Sequence, residues 1–435
     1  MSLINPMPKV KLCCPVLGYA ILHPMKHIFS GLKVIDCATV IAAPTAAMML
    51  GDFGADVIKI EQPGDGDMLR MLSHVATTPE AGNDWFWQLD GRNKRGLCLD
   101  LKHPDGMAVL QRLVAECDVF ITNHPANVRD SLGLNYADLA PLNKSMIYAS
   151  LTAYGEAGPE RERKGFDQLA YWARSGLMDL MRAPGTPPTQ GLPGMGDHPT
   201  GVALYASIVT ALLHRERTGE GGLVHTSLLA NGLWSAAGIA QGALAGADMA
   251  EYRDDNLVNG ATMRPYQASD GRWLQFNMIR DEETLSLLLA ALDAIDLLAD
   301  PRFGDLQDMW THRQALGDEL QTRISSKTSD EWLAVFAGFS LPVNRIAEIE
   351  ELATDPQILE NNMAAPPEDK SIDVPMIINH PINVEHLPKV GPVRAPAQGE
   401  HSRQILGELG MTDKEIETLV NDGAVVATPC SSELS

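Results

Sequence analysis

Apolar and polar positions alternate along the chain in a pattern that predicts a strand, a helix and a second strand from residue 32 onward. The β-branched and apolar run 32–38 (LKVIDCA) is typical of a buried strand, and 55–61 (ADVIKIE) repeats that pattern. Between them, the Ala-, Met- and Leu-rich segment TAAMMLGDFG predicts a helix that follows Pro44 and ends at Gly54. A unit of this kind joins parallel strands by a right-handed crossover.

The same alternation continues further along the chain. Strands are predicted at 96–101, 119–123 and 145–155, and the last of them runs into a loop. A helix with Pro104 in its first turn separates the first two strands, and the short helix NYADLAPLN precedes the third. Strands that alternate with helices predict a parallel sheet with helices on both faces, so the predicted fold class is α/β.

The pattern changes twice in the second half of the chain. Residues 167–250 are rich in Ala and Leu and predict mostly helix, interrupted by the loop PGTPPTQGLPGMGDHP. Residues 263–278 predict a hairpin that turns at a Ser-Asp-Gly sequence, and two amphipathic helices follow it. This change of sequence pattern, to a hairpin followed by amphipathic helices, predicts a smaller α+β domain at residues 250–360. Short Pro-rich strands and one last helix, SRQILGELGMTDKEIETLV, end the folded region.

The first thirty residues differ from the rest of the chain. A short apolar run preceded by two lysines loosely resembles a secretion signal, but Pro15 and Pro24 interrupt it and it is too short to span a bilayer. Residues 1–30 are therefore predicted to be an N-terminal extension, and residues 428–435 a flexible tail. No other stretch is a transmembrane candidate, which predicts a cytoplasmic protein that does not bind a membrane.

Charge and cysteine usage exclude several classes of partner. The chain has 34 basic and 56 acidic residues and a formal net charge of −22, so DNA, RNA and anionic membranes would repel it. The cysteines form no CxxC pair and the histidines no HExxH spacing, so neither a disulfide framework nor a metal site is predicted. GxGxxG and P-loop sequences are also absent, which argues against a dinucleotide or nucleoside triphosphate.

A basic segment interrupts this acidic chain. The sequence GRNKRGLCLDLK surrounds a predicted strand with Arg92, Lys94, Arg95 and Lys102. One interpretation is a solvated basic loop, which the residue types alone favour. The other is a seat for phosphate groups, because guanidinium and ammonium groups supply charge-assisted donors. Lys59 and Arg70, on the neighbouring strand–helix–strand unit, would contribute to such a seat.

Asp167 directly precedes a helical run in the segment KGFDQLAYWARSG. Asp is a preferred N-cap residue, which stabilises a helix by about 1 kcal/mol, and local residues alone favour that role. The helix dipole also keeps an Asp at this position ionised. A carboxylate nucleophile needs the same charge state, so capping and catalysis are compatible interpretations.

Seven segments of the chain occur in a recognisable order. They are MLGDFGADVIKIEQPGDGD, NKRGLCLDLKHPDG, IYASLTAYGEAGP with GFDQLA, GDHPTGVALYASIVTALLHRERTGEGG, the hairpin ending SDGRW, LPVNRIAEIEELATDPQ and APAQGEHSRQILGELG. Together they resemble the signature segments of the CaiB/BaiF family of class III coenzyme A (CoA) transferases. The resemblance covers residues 31–420.

This resemblance implies an architecture of two interlocked subunits. Each subunit of the homodimer is expected to have a large Rossmann-like domain with a parallel sheet, built from both chain ends, and a smaller α+β domain from the middle. The expected boundaries are 31–245 for the first part of the large domain, 246–362 for the small domain and 363–427 for the segment that returns to the large domain.

The resemblance also implies the site residues. Asp167 aligns with the catalytic aspartate of the family and Tyr154 with an active-site tyrosine. The resemblance and the basic segment together give the expected CoA-binding residues. They are Val40, Ile41, Gln62, Arg70, Arg92, Lys94, Arg95, Leu99, Lys102, Asn123, His124 and Arg129. No cofactor is expected beyond CoA and acyl-CoA as substrates.

The chain departs from the formyl-CoA transferase pattern where the substrate is recognised. Ile41 stands in place of a glutamine and Phe86 in place of a tyrosine, and no glycine-rich loop is evident near 258–263. Ser131 replaces a CoA-contacting arginine, a role that Arg129 is expected to take over. An acid other than oxalate or formate is therefore expected.

The expected reaction moves CoA from an acyl-CoA donor to a free carboxylic acid through an aspartyl mixed anhydride and an aspartyl-CoA thioester on Asp167. The main alternative implied by the resemblance is an α-methylacyl-CoA racemase, which shares this fold. Racemases have the pattern Gly-His-Asp at the aspartate, where this chain has Gly-Phe-Asp. His124 is the nearby candidate for a base in that alternative. An intramolecular CoA-transferring isomerase and a non-catalytic acyl-CoA-binding paralogue also stay open.

Overall fold

The computed structural model describes residues 27–76, 78–183, 185–254, 261, 264–276 and 281–427. Most of the predicted N-terminal extension, the predicted tail and most of 258–263 lie outside these residues. The strands are β1 (Lys33–Cys37), β2 (Asp56–Glu61), β3 (Lys94–Leu99), β4 (Val119–Thr122), β5 (Ile147–Thr152), β6 (Gly222–Ser227), β7 (Tyr266–Gln267), β8 (Trp273–Phe276), β9 (Val343–Arg345), β10 (Ala364–Ala365), β11 (Ile377–Ile378) and β12 (Val425–Val426).

Helices connect and cover these strands. The α-helices are α1 (Ala42–Asp52), α2 (Leu69–Leu72), α3 (Trp85–Gly91), α4 (Pro104–Glu116), α5 (Ala126–Leu132), α6 (Tyr136–Leu139), α7 (Leu177–Leu180), α8 (Asp197–Thr218), α9 (Leu228–Ser235), α10 (Ala237–Leu244), α11 (Met249–Asp254), α12 (Glu282–Ala291), α13 (Leu306–Thr311), α14 (Arg313–Ile324), α15 (Ser329–Gly338), α16 (Pro356–Glu360), α17 (Ser402–Glu408) and α18 (Asp413–Asn421). A π-helix spans Gln168–Ala173, and 3₁₀ helices span Ile295–Ala299 and Ile349–Thr354.

The main sheet has seven strands in the order β12-β3-β2-β1-β4-β5-β6. All neighbours pair in parallel except β12, which runs antiparallel to β3. Strands β1 to β5 are buried along nearly their whole length because helices cover both faces of the sheet. The α/β prediction with a mostly parallel sheet is therefore confirmed. The strand order reverses direction between β1 and β4, so a crevice opens there at the carboxyl ends of the strands.

Helices α1 and α8 pack against each other on one face of the sheet and bring the amino-terminal end of α8 close to the end of β1. Every residue of α1 is buried. Gly201 of α8 permits the close approach, since a Cβ there would lie 2.6 Å from the carbonyl oxygen of Ala42. The opposite face of the sheet is covered by a second core, to which α4, α17 and α18 contribute.

A separate apolar core is formed by residues between Ala261 and Leu341. It contains the predicted hairpin, in which β8 pairs with β7 and β9 in an antiparallel sheet. The sequence predicted two helices after this hairpin, whereas the described residues 281–341 form four α-helices, α12 to α15. The additional breaks occur at the 3₁₀ helix Ile295–Ala299 and between α13 and α14.

The last predicted helix is in fact two helices, α17 and α18. Gly410 adopts a φ of 78° between them, a left-handed conformation that ends a helix. Thr412 then caps α18 in a reciprocal capping box with Glu415, a Thr-x-x-Glu signal that is visible in the sequence. The predicted Pro-rich strands reduce to the two-residue β11. Among the described residues, no helix has the length and apolar character needed to cross a bilayer.

Candidate active site

A cavity of 420 Å³ opens at the carboxyl ends of β1, β2, β3 and β4, at the point where the strand order reverses. This is where open parallel sheets bind their ligands. The loops that follow these strands, together with α5, line it with Cys37, Ala38, Thr39, Ile60, Glu61, Gln62, Gly66, Asp67, Leu99, Asp100, Leu101, Lys102, His124, Val128, Ser131 and Leu132.

Four of the residues expected to bind CoA line this cavity: Gln62, Leu99, Lys102 and His124. Lys102 is exposed, and no acidic group forms an ion pair with it within the part of the chain that the structure describes. Burial first, and then the charges of Lys59 and Arg129, lower the pKa of His124, so this imidazole is neutral at pH 7. The cavity thus offers one unneutralised cation at an apolar wall.

Three further residues of that set, Val40, Ile41 and Asn123, do not line the cavity but are chain neighbours of the lining residues Thr39 and His124, and we call them its rim. The amide side chain of Asn123 bonds both backbone groups of Thr39, at 2.9 Å to its N–H and at 2.7 Å to its carbonyl. The N–H of Val40 donates to Oδ1 of Asp67 over 2.9 Å, and Val40 has a φ of 68°, which β-branched residues rarely adopt. Ile41 follows and is buried. These bonds fix the backbone beside the cavity.

Three of the four cations of the basic segment, unlike Lys102, are paired with carboxylates inside the protein. Arg92 is fully buried and pairs with Asp52 at 2.8 Å. Lys94 is also buried and pairs with Asp36 at 2.8 Å. Arg95 is held by Asp56 at 2.7 Å and by Glu408 at 2.8 Å. None of the three lines the 420 Å³ cavity, because they lie at or before the amino-terminal end of β3 and the cavity is at its carboxyl end. Lys94 and Arg95 line a separate cavity of 560 Å³.

Arg70 and Arg129 are also engaged within the protein. Two nitrogens of the Arg70 guanidinium bond the carboxylate of Glu61 at 2.8 and 2.7 Å, and the group stacks 3.9 Å over the Trp87 ring. Arg129 is buried and pairs with Glu156 at 2.6 Å. Ser131, not Arg129, lines the cavity, so the expected replacement of a CoA-contacting arginine by Arg129 is not what the structure shows.

The carboxylate of Asp167 does not cap the helix that it precedes. Its backbone is already helical, with φ −55° and ψ −47°, and its side chain makes no capping bond to the π-helix Gln168–Ala173. Instead, Oδ2 of Asp167 accepts the N–H of Gly196 over 3.1 Å, directly before α8. Asp167 is only 4% exposed. The carboxylate is therefore held by a different part of the chain from the one that local sequence indicated.

Opposing influences act on the charge of Asp167. Burial raises its pKa, while the N–H groups of Gly196 and Gly194 and the charge of His198 lower it. The net shift is upward, contrary to the expectation that the helix dipole would simply keep the group ionised. A carboxylate that is removed from water but held by fixed donors is suited to nucleophilic attack.

The turn Gly194–Gly196 connects Asp167 with the rim of the cavity. A Cβ at Gly194 would lie 3.3 Å from Cδ1 of Ile41, so this turn packs directly against the residue that follows Val40. Ile41 also belongs to an apolar cluster with Phe86 and Leu69. The nucleophile candidate and the cavity are thus joined through Ile41.

Tyr154 packs beside the segment that contains Asp167. A Cβ at Gly165 would lie 2.9 Å from the Tyr154 hydroxyl, and the Arg163 guanidinium lies 5.3 Å from the centre of the Tyr154 ring. Tyr154 therefore contacts the residues that directly precede Asp167 in the chain.

Sequence reasoning missed three ionisable residues in this region, Asp90, Asp197 and His198. Nε2 of His198 lies 3.4 Å from Oδ1 of the buried Asp90. Burial, and then the charge of Asp167, raise the pKa of Asp197 to about 7. The sequence Gly-Met-Gly-Asp-His before a long helix was the available signal, because glycines next to acid–base residues at a helix start are typical of binding turns. Among the described residues, no cluster of His, Cys, Asp and Glu has the arrangement of a metal site.

Comparison with known proteins gives consistent matches over most of the chain. The family model of CoA-transferase family III matches residues 29–402. The chain is 30% identical to (R)-2-hydroxy-4-methylpentanoate CoA-transferase of Clostridioides difficile over 92% of this chain and 99% of that protein. It is 30% identical to cinnamoyl-CoA:phenyllactate CoA-transferase of Clostridium sporogenes over 91% of this chain and 97% of that protein. The crystal structure of a CaiB/BaiF family protein from Brucella suis superposes with a TM-score of 0.76 at 28% identity, covering 88% of this chain and 100% of that one.

Proposed function

Because the chain belongs to CoA-transferase family III, we propose that it moves CoA from an acyl-CoA donor to a free carboxylic acid through covalent intermediates on Asp167. The chain is a CoA-transferase, as its matched relatives are. One observation carries the assignment of the nucleophile. Asp167 is a buried carboxylate, held by the Gly196 N–H next to the rim of the crevice cavity.

In the first half of the reaction, a carboxylate oxygen of Asp167 attacks the thioester carbonyl carbon of the donor. The C–S bond breaks and CoA leaves as a thiolate, so an aspartyl mixed anhydride forms. The thiolate then attacks the aspartyl carbonyl carbon of this anhydride. The C–O bond breaks and the donor acid leaves as its carboxylate, which leaves an aspartyl-CoA thioester on Asp167.

The second half reverses these steps with the acceptor. The acceptor carboxylate attacks the aspartyl thioester, the C–S bond breaks, and a new anhydride forms with release of the CoA thiolate. The thiolate attacks the acceptor carbonyl carbon, which gives the new acyl-CoA and restores the Asp167 carboxylate. In each step one anionic nucleophile, a carboxylate or a thiolate, replaces one anionic leaving group, so no net proton is consumed. The reaction therefore needs no cofactor other than CoA.

The surroundings of Asp167 supply what these steps need. The N–H of Gly196 bonds the carboxylate, the N–H of Gly194 lowers its pKa, and we propose that both bond the oxyanion that forms when its carbonyl is attacked. Burial of Asp167 keeps water from the anhydride, which water would otherwise hydrolyse. Tyr154, beside the same segment, is proposed to border the acyl group.

We assign the 420 Å³ cavity to CoA. Lys102 is its exposed, unneutralised cation and would bond a phosphate of CoA, while Gln62, Leu99 and His124 would contact the rest of the molecule. Val40, Ile41 and Asn123 would shape the path from the cavity to Asp167. Arg70, Arg92, Lys94, Arg95 and Arg129 hold the protein framework instead.

The acceptor acid is the open part of the proposal. Two relatives are named for acids that carry a 2-hydroxyl and an apolar side chain. Ile41 and Phe86 present apolar groups near the turn that holds Asp167. We therefore expect 2-hydroxy acids with apolar side chains among the acceptors.

We also propose that the chain forms a homodimer with interlocked subunits. Helices α9 and α10 expose large apolar side chains, with Trp234 and Leu244 both 78% exposed. A second copy of the chain that covers them would remove this apolar surface from water. Sedimentation equilibrium should give the mass of a dimer for the native chain, and Trp234→Glu with Leu244→Glu should weaken the association.

The test of function is CoA exchange. The protein is incubated with succinyl-CoA or acetyl-CoA and a panel of acids, and new acyl-CoA species are measured by mass spectrometry. Transfer that requires Asp167, assessed with Asp167→Asn, supports the proposal. Exchange of the α-proton in deuterated water without an acceptor acid would instead indicate a racemase. CoA binding without either activity would indicate a non-catalytic binding protein.

A further inference from the structure

His198 makes two contacts that link helix α3 with the turn before α8. Its Nδ1 lies 3.0 Å from the carbonyl oxygen of Gly194, and its Nε2 lies 3.4 Å from Oδ1 of Asp90. Asp90, near the end of α3, has no exposed surface, and its Oδ1 also accepts the hydroxyl of Thr45 over 3.0 Å. The imidazole thus lies between a buried carboxylate and the turn that bonds Asp167.

Both neighbours of the imidazole are acceptors. A backbone carbonyl oxygen offers only lone pairs, and so does an ionised carboxylate. A neutral imidazole carries a proton on one nitrogen only, so it would satisfy one of these contacts and place a lone pair against the other. The imidazolium, with N–H groups at both Nδ1 and Nε2, suits both neighbours. The Nε2 contact with Asp90 is an approach at ion-pair distance and not a hydrogen bond.

The electrostatics agree with this geometry. Burial alone would lower the pKa of His198, but the Asp90 carboxylate outweighs it, and with Asp197 it raises the pKa to about 9. In return, the imidazolium offsets part of the cost of burying the Asp90 charge. The groups that face this pair are Asp197 and Asp167 beside His198, and Lys94 beside Asp90.

We propose that Asp90 and protonated His198 are positioning residues for the Asp167 nucleophile. Together they hold the Gly194–Gly196 turn so that its N–H groups point at the carboxylate, and they keep a cation close to it. Neither touches the proposed CoA cavity. The inference rests on the proposed function, because it concerns the placement of the proposed nucleophile.

The consequence is a particular dependence on pH. When His198 loses its proton, one of its two contacts is lost and the cation beside Asp167 disappears. The rate constant for transfer, kcat, should therefore fall as pH rises through about 9. The KM for acyl-CoA should change much less, because the cavity is separate from this pair.

The experiment measures kcat and KM for CoA exchange from about pH 6 to pH 10 in the wild type and three variants. In His198→Gln, kcat should be about 10-fold or more below wild type. The pH profile of this variant should also lack the decline in kcat that the wild type shows near the upper end of the pH range. In Asp90→Asn, which keeps an acceptor for both Thr45 and His198, the decline should move to lower pH. His214→Gln, the same substitution at an exposed position of α8, is the matched control and should follow the wild type.

The outcomes separate this inference from the proposed function. A wild-type kcat with an unchanged alkaline decline in both His198→Gln and Asp90→Asn would overturn the positioning role while transfer through Asp167 stands. Wild-type CoA transfer activity in Asp167→Asn would instead contradict the proposed function. If a variant fails to fold, nitrogen NMR of the wild-type imidazole decides. His198 should titrate near pH 9, and a midpoint at or below the ordinary value for histidine, about 6.5, would contradict the inference.

Discussion

The backbone N–H of Gly196 donates to Oδ2 of Asp167 over 3.1 Å, although 29 positions separate the two residues in the chain. The contact is possible because residue 196 has no side chain. A Cβ there would lie 2.5 Å from Cγ of Tyr171, in the middle of a buried ring system. The glycine therefore allows the start of α8 to reach the carboxylate.

Gly196→Ala should remove most of the transfer activity. The added methyl group cannot fit against Tyr171, so the turn must move and its N–H must leave Asp167. We expect kcat to fall by about 100-fold, the size of effect seen when one preorganised donor is lost. Gly407→Ala is the control, because a Cβ at Gly407 meets no atom within 4 Å. Equal kcat values for the two variants would contradict the role of the turn.

Lys102→Ala should weaken the binding of acyl-CoA without slowing the chemical steps. Lys102 is the exposed cation of the cavity, and Asp167 is not among the residues that line this cavity. The loss of Lys102 should therefore weaken the binding of the ground state and of the transition state equally. We expect KM to rise about 10-fold at an unchanged kcat. Lys414→Ala, an exposed lysine on α18, should leave both constants unchanged. A fall in kcat at constant KM would show that the cavity is wrongly assigned.

Arg92→Met should have the opposite profile and act on stability. Removing one member of the buried Arg92–Asp52 pair leaves an uncompensated carboxylate in the interior. The free energy of unfolding should fall by about 3–5 kcal/mol, measured by urea denaturation. The KM for acyl-CoA should stay within about twofold of wild type if the variant is assayed while folded. A large rise in KM at unchanged stability would restore Arg92 as a phosphate ligand.

Asp197→Asn should stabilise the protein, and more so as pH rises. The pKa of Asp197 is raised from 3.8 to about 7, so the folded state binds more protons than the unfolded state between these values. The wild type therefore loses stability as pH increases through this window, and the Asn variant does not. We expect the difference in unfolding free energy to grow from near zero at about pH 4 to roughly 1–3 kcal/mol at about pH 8.

The control for that experiment is Asp413→Asn. Asp413 occupies the same first position of a helix, α18, but is exposed. Its effect on stability should be small across the same range of pH. A difference between Asp197→Asn and wild type that does not vary with pH would contradict the raised pKa of Asp197.

The sheet was predictable from the sequence because its strands are buried on both faces. Runs such as 32–38 and 55–61 are rich in β-branched and apolar residues, and the glycine at 54 follows the end of α1 closely. The same reasoning did not divide α17 from α18, because the apolar pattern continues across Gly410. The helix ends because that glycine adopts a left-handed φ, and the apolar pattern gives no sign of this break.

The cations at positions 92–95 show why residue types alone do not identify a ligand site. Arg92, Lys94 and Arg95 are neutralised mainly by carboxylates from α1, β1 and β2, more than 35 positions earlier in the chain. Those partners are brought together by the order of the strands, which local sequence does not contain. The resemblance to the family implies Asp167 as the nucleophile, which stays a proposal, but Gly196, whose N–H bonds its carboxylate, became apparent only from the structure.

The most direct test of the central claim is to map the covalent intermediate. The protein is mixed with an acyl-CoA donor in the presence of hydroxylamine, digested, and analysed by mass spectrometry. Hydroxylamine attacks the aspartyl anhydride or thioester and should leave a hydroxamate on Asp167, dependent on the donor and absent when the donor is omitted. An active enzyme that carries no adduct on Asp167, or carries it on another carboxylate, would contradict the account.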